Sequence, residues 1–124
     1  MFLEHVNLSV TDIDRSRDFY CSLLGFNVRW EGKVNAQSGG LKRAVHVGND
    51  RVYLALFEAE QPGRAPWNYG AAGMNHFGFV VPSLEEVEAL GVTPHLEGSY
   101  DPGRRIYVQD PDGIEVELVE YEGE

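Results

Sequence analysis

Residues 106–121 read IYVQDPDGIEVELVEY, the pattern of two strands joined by a tight turn. In Asp110-Pro111-Asp112-Gly113 the proline presets φ, the aspartates hydrogen-bond nearby backbone, and the glycine accepts a positive φ. Beyond the turn the chain alternates, with Ile114, Val116 and Leu118 on one face and Glu115, Glu117 and Val119 on the other. Glu117 therefore points away from the aliphatic side. A lone strand glutamate on an acidic chain is ordinarily solvated, so its meaning depends on what shares its face.

Working outward, the same order of elements is predicted twice. Residues 1–10 alternate as a strand that puts His5, Asn7 and Ser9 on the more polar face, opposite Val6, Leu8 and Val10. Residues 12–24 repeat Ile13, Arg17, Tyr20 and Leu24 at helical spacing, behind a Thr11 or Asp12 cap and ahead of Gly25. A short strand over 26–30, a polar loop over 31–40, and strands over 41–47 and 52–58 follow, the last two joined at Gly48-Asn49-Asp50. Residues 59–73 are rich in proline and glycine without any period, as suits a linker.

The second pass begins with a strand over 75–81. Ser83 with Glu86 three residues later is a capping box, and a short helix over 84–90 ends at Gly91. A strand over 92–96 and a loop over 98–103 are expected before the closing hairpin. The reading is an α+β domain over 1–124, with tandem βαβββ modules at 1–58 and 74–124. The repeat is visible in residues too: His5, Val10, Asp12 and Ile13 have the same mutual spacing as His76, Val81, Ser83 and Leu84.

Composition narrows the partners. A net charge of −10 argues against nucleic acid and anionic membranes, leaving a small organic ligand or a cation. No apolar run is long enough to span a bilayer, and MFLEHVNLSV lacks the basic start of a signal peptide, so a cytoplasmic location is expected. Cys21 has no cysteine to pair with and sits in an amphipathic segment, where it reads as a small packing residue.

His5, His76 and Glu117, each on a strand face turned away from the helices, suit a divalent transition metal with open positions for a substrate. The plainer alternative is that each is an ordinary hydrogen-bonded strand residue. Tyr53, Ala55 and Phe57 share one face and either line a ligand site or pack as sheet core. Of Arg104 and Arg105, either offers a fork for a carboxylate or phosphate, while alternation turns one of them outward. His46 reads as structural. Trp30 and Trp67 read as a lid, a stacking surface or a dimer contact.

HVNLSVTDIDRSRDFYCSLLGF at the start, NHFGFVVPSLEEV in the middle and YVQDPDGIEVELVEY at the end resemble the vicinal oxygen chelate superfamily. That group includes glyoxalase I, extradiol dioxygenases, methylmalonyl-CoA epimerase and bleomycin-type resistance proteins. The resemblance implies a cup-shaped mixed sheet, a homodimer, and His5, His76 and Glu117 as ligands of Fe2+, Mn2+, Ni2+, Co2+ or Zn2+. It implies an enzyme, lyase- or dioxygenase-like, acting on an oxygenated small molecule. Tyr107 would hydrogen-bond the substrate, with Tyr53, Phe57 and Arg104 against it. Where glyoxalase I has Glu or Gln in the last strand of the first half, this chain has Ala55, and Glu58 faces the other side. The histidine that extradiol enzymes place before the tyrosine is missing from Gly98-Ser99-Tyr100, and His95 lies too far upstream. The alternative is a metal-free binding protein for an antibiotic or metabolite.

Overall fold

The Asp12 carboxylate accepts the backbone N–H of Arg15, and the chain turns there from its first strand into its first helix. The computed structural model describes residues 1–61, 70–94, 96–100 (without side chains) and 103–121. Its elements are β1 (His5–Val10), α1 (Ile13–Leu24), β2 (Asn27–Asn35), β3 (Leu41–Gly48) and β4 (Tyr53–Glu58). Then come β5 (Phe77–Val80), α2 (Leu84–Glu88), β6 (Leu96–Tyr100), β7 (Gly103–Gln109) and β8 (Glu115–Tyr121). Trp67, Tyr69 and His95 lie outside the described residues.

The chain divides into two compact units, Met1–Arg64 and Ala65–Glu124. Each unit holds a four-stranded mixed sheet, ordered β1-β4-β3-β2 in the first and β5-β8-β7-β6 in the second. In both, the first strand pairs parallel with the last and the remaining pairs are antiparallel. This is the α+β, twice-repeated βαβββ architecture that the sequence predicts. Among the described residues no helix is long and apolar enough to cross a membrane.

In the first unit α1 lies against β3 and β4, and its buried Ile13, Tyr20 and Leu23 join Val45, Val47, Leu54 and Leu56 in the core. Full burial of such side chains stabilises by about 1.5–3 kcal/mol each. In the second unit Leu84 and Val87 of α2 are buried, as are Ile106, Val108, Val116 and Leu118 of the sheet. The Ser83 hydroxyl caps α2 by accepting from Glu86 N–H, and Glu120 of β8 accepts from Leu84 N–H, fixing that short helix to the sheet.

Several boundaries differ from the sequence prediction: β1 begins at His5 instead of residue 1, and β5 spans only Phe77–Val80 of the expected 75–81. β2 runs on to Asn35, through half of the expected 31–40 loop, because its backbone pairs with β3 as far as Asn35 opposite Leu41. As an edge strand it is mostly exposed, so its polar residues carry no strand period. β6 lies at Leu96–Tyr100 instead of 92–96, overlapping the expected 98–103 loop, and it too is an edge strand held by backbone pairing to β7. α2 stops at Glu88, short of 90, with Gly91 at φ 83° beyond it.

Candidate functional site

The turn at Asp110 sets the register of the closing hairpin. Its carboxylate accepts from Asp112 N–H at 2.9 Å and Ile114 N–H at 2.8 Å, its carbonyl accepts from Gly113 N–H, and Gly113 takes φ 82°. Tyr107 then stands directly across from Glu117, with Gly78 across on the other side. The Tyr107 hydroxyl donates to Glu117 Oε1 at 2.7 Å, and Arg105 Nη1 reaches the same oxygen at 3.3 Å. A Cβ at position 78 would lie 3.1 Å from Glu117 Oε2, so glycine there leaves room for the carboxylate.

His76 faces that second oxygen, with Nε2 at 3.6 Å from Glu117 Oε2. Its Nδ1 is 2.7 Å from the Asn75 side-chain oxygen, which only accepts, so Nδ1 donates, and in the neutral ring Nε2 presents a lone pair. A lone pair and a carboxylate oxygen at that spacing are satisfied by a proton or a cation between them. Bonds of about 2.1 Å to one ion put adjacent ligand atoms about 3–3.5 Å apart, and this pair stands just wider than that.

His5 is oriented in the same way. Its Nδ1 lies 2.9 Å from Glu4 Oε1, which leaves Nε2 as the nitrogen turned away from that contact. In each half the residue just before the histidine thus fixes its tautomer. Sequence reasoning passed over both neighbours, although Glu4-His5 and Asn75-His76 are adjacent pairs. Among the described residues no group of three or more His, Cys, Asp or Glu side chains gathers in metal-holding geometry. The structure brings His76, Glu117 and Tyr107 together, while His5 belongs to the first unit.

The face of the first sheet that carries His5 holds a row of rings, one from each strand. His5 stacks on Tyr53 at 4.9 Å, Tyr53 on His46 at 4.6 Å, and Trp30 leans on His46 at 4.8 Å. His46 stands across from Ala55 as Tyr107 stands across from Glu117, so it occupies the Tyr107 position of its own half. Register likewise makes Ala55, opposite Asn7, the counterpart of Glu117, opposite Gly78. Burial, then the nearby His5 and Arg29 charges, push His46 below its ordinary 6.5, with Glu4 acting the other way. His46 thus stands on this face, packed between Trp30 and Tyr53.

Tyr53 and Phe57 share that face, Phe57 in register with Ser9 and Ala44. Arg104, expected against a substrate, instead pairs with Glu88 of α2, because alternation along β7 turns it to the helix side. Arg105 is the neighbour that shares the Tyr107 face. Cys21 is half-buried in α1, where burial pushes its thiol up, as suits an inert packing residue.

The sequence model of the Glyoxalase/Bleomycin resistance protein/Dioxygenase superfamily matches residues 2–118. Biphenyl-2,3-diol 1,2-dioxygenase 2 of Rhodococcus globerulus is 31% identical over 121 residues, which is 92% of this chain and 60% of that protein's length. A probable lactoylglutathione lyase of Synechocystis sp. is 28% identical, covering 97% of this chain and 95% of that one. The crystal structure of a glyoxylase/bleomycin resistance protein/dioxygenase domain from Frankia sp. EAN1pec superposes with a TM-score of 0.79 at 22% identity, over 100% of this chain and 95% of that one; it speaks to the fold alone.

Proposed function

This chain belongs to the Glyoxalase/Bleomycin resistance protein/Dioxygenase superfamily, and from that premise we propose that it is a divalent-metal-dependent enzyme acting on an oxygenated small molecule, lyase- or dioxygenase-like. The proposed ligands are His76, Glu117 and His5. The observation that carries the reading is the 3.6 Å approach of His76 Nε2 to Glu117 Oε2, with the His76 proton held on the far nitrogen by Asn75. A divalent ion held there would supply Lewis acidity toward the oxygens of a bound molecule. Glu4 and Asn75 keep both imidazoles in the coordinating tautomer. Tyr107 holds Glu117 through one oxygen and is suited to orient the carboxylate and to hydrogen-bond a substrate. Imidazole and carboxylate donors suit iron(II), manganese, nickel, cobalt and zinc alike. The same reading carries a homodimer and a cytoplasmic location, on neither of which it depends.

A second reading is favoured by Arg105, which places a cation on Glu117, and by Ala55 at the position a fourth ligand would take. In it the protein binds a small molecule without metal, as resistance members do. Two variants separate the readings. His5→Ala and Glu117→Ala abolish metal retention and turnover of catechols or related diols if the enzyme reading holds. Metal-independent ligand binding that both variants leave intact would favour the binding protein.

A further inference from the structure

β2 carries an irregularity that changes what the first sheet presents. Val28 pairs with Val47 and Trp30 with His46, so two steps along β2 answer one step along β3, and Arg29 is the extra residue. Such a bulge aims consecutive side chains to the same side, which regular alternation forbids. Trp30 accordingly leans on His46, while the Arg29 guanidinium lies 4.6 Å from the centre of the Tyr53 ring. Gly32 accommodates the indole, since a Cβ there would come within 2.5 Å of the Trp30 ring.

Arg29 shares with Lys33, Lys42 and Arg51 the lack of an ion pair among the described residues, and of these it is the one set against a ring of the His5 face. Arg17, Arg43, Arg104 and Arg105 each hold a carboxylate. Among the described residues Arg29 has no ion pair, although the chain carries a net charge of −10. Glu4, a carboxylate at this row of rings, is occupied by His5 and receives the Tyr53 hydroxyl at 3.4 Å. Tyr53 thus has a cation against its ring and His5, a proposed metal ligand, stacked on it.

We infer that Arg29 is a specificity residue that anchors the carboxylate of the small molecule received on this face. The guanidinium fork matches a planar carboxylate with two parallel hydrogen bonds, and Tyr53 holds it in place through its ring. Glu4 nearby favours a single negative charge over a dianion. The inference rests on the proposed function for the nature of the occupant and adds to it a substrate class, oxygenated carboxylic acids.

The test compares 3,4-dihydroxybenzoate with catechol, which share the diol and differ in the carboxylate, by calorimetric titration of the full chain. The parent should prefer the acid by about tenfold, the scale of a charge-assisted hydrogen bond. Arg29→Gln should bring the two probes to near parity with catechol unchanged, and Arg29→Lys should keep part of the preference. Equal affinities in the parent, a preference that survives Arg29→Gln, or no saturable binding of either probe would overturn the inference. Metal analysis of the same samples separates the two claims. A metal-free parent with an Arg29-dependent preference sinks only the metal reading, and a metal-loaded parent without preference sinks only the anchor.

Discussion

His76 Nε2 and Glu117 Oε2 face each other across 3.6 Å, while the opposite nitrogen of His76 is tied to Asn75 and the opposite oxygen of Glu117 to Tyr107 and Arg105. Each partner is turned toward the other by a contact on its far side. That is how a metal-binding histidine is held by its outer partners, whose loss costs about 10–100-fold in metal affinity. Asn75→Ala and Glu4→Ala should each weaken binding of a divalent ion by about tenfold with little change in thermal stability. Competition titration against a chromogenic chelator measures this, and unchanged affinity in both variants would mean that the two neighbours orient nothing.

The turn before β8 gives a structural prediction. Asp110→Ala removes the acceptor for two backbone N–H groups and should cost about 2 kcal/mol in chemical denaturation. Because the turn sets which β7 residue faces Glu117, metal affinity should fall with it. A loss below about 0.5 kcal/mol, within the range of ordinary surface substitutions, would show that strand pairing alone holds the register.

His46 makes stability depend on pH with a definite sign. Its folded value lies below the ordinary 6.5, so the unfolded chain takes up the proton first as pH falls. Stability is therefore unaffected above that value and drops as pH is lowered from 6.5 toward the folded one. Denaturation at about pH 7.5 and about pH 5.5 should show a smaller acid loss in His46→Gln than in the parent. An equal loss in the two proteins would contradict the assignment.

Ser16 offers a gain. It is fully buried in α1, and among the described residues its hydroxyl has no hydrogen-bond partner. Ser16→Ala removes an unsatisfied polar group and raises helix propensity, so it should stabilise by about 1 kcal/mol. A lowered melting temperature would reveal a partner for the hydroxyl.

Much of this molecule was legible in its sequence because apolar period, caps and turn residues report on burial and local geometry. Asp12, Ser83 and the Asp110–Gly113 turn stand where those rules put them. The edge strands β2 and β6 were misread because backbone pairing holds them, and the solvated β2 carries no apolar period. The bulge at Arg29 was hidden for a related reason, since alternation assumes one residue per step on both strands. His46 was set aside because a strand histidine has a meaning only once its cross-strand neighbours, Ala55 and Trp30, are known. Arg104 and Arg105 show the reverse: alternation correctly said that one of them turns away, but not which.

The most direct test of the proposed function is the metal content of untagged protein, by elemental mass spectrometry, before and after reconstitution with manganese and zinc. The account predicts near-stoichiometric metal in the parent and its loss in both His76→Ala and Glu117→Gln. No metal in the parent even after reconstitution, or metal undiminished in both variants, would contradict it.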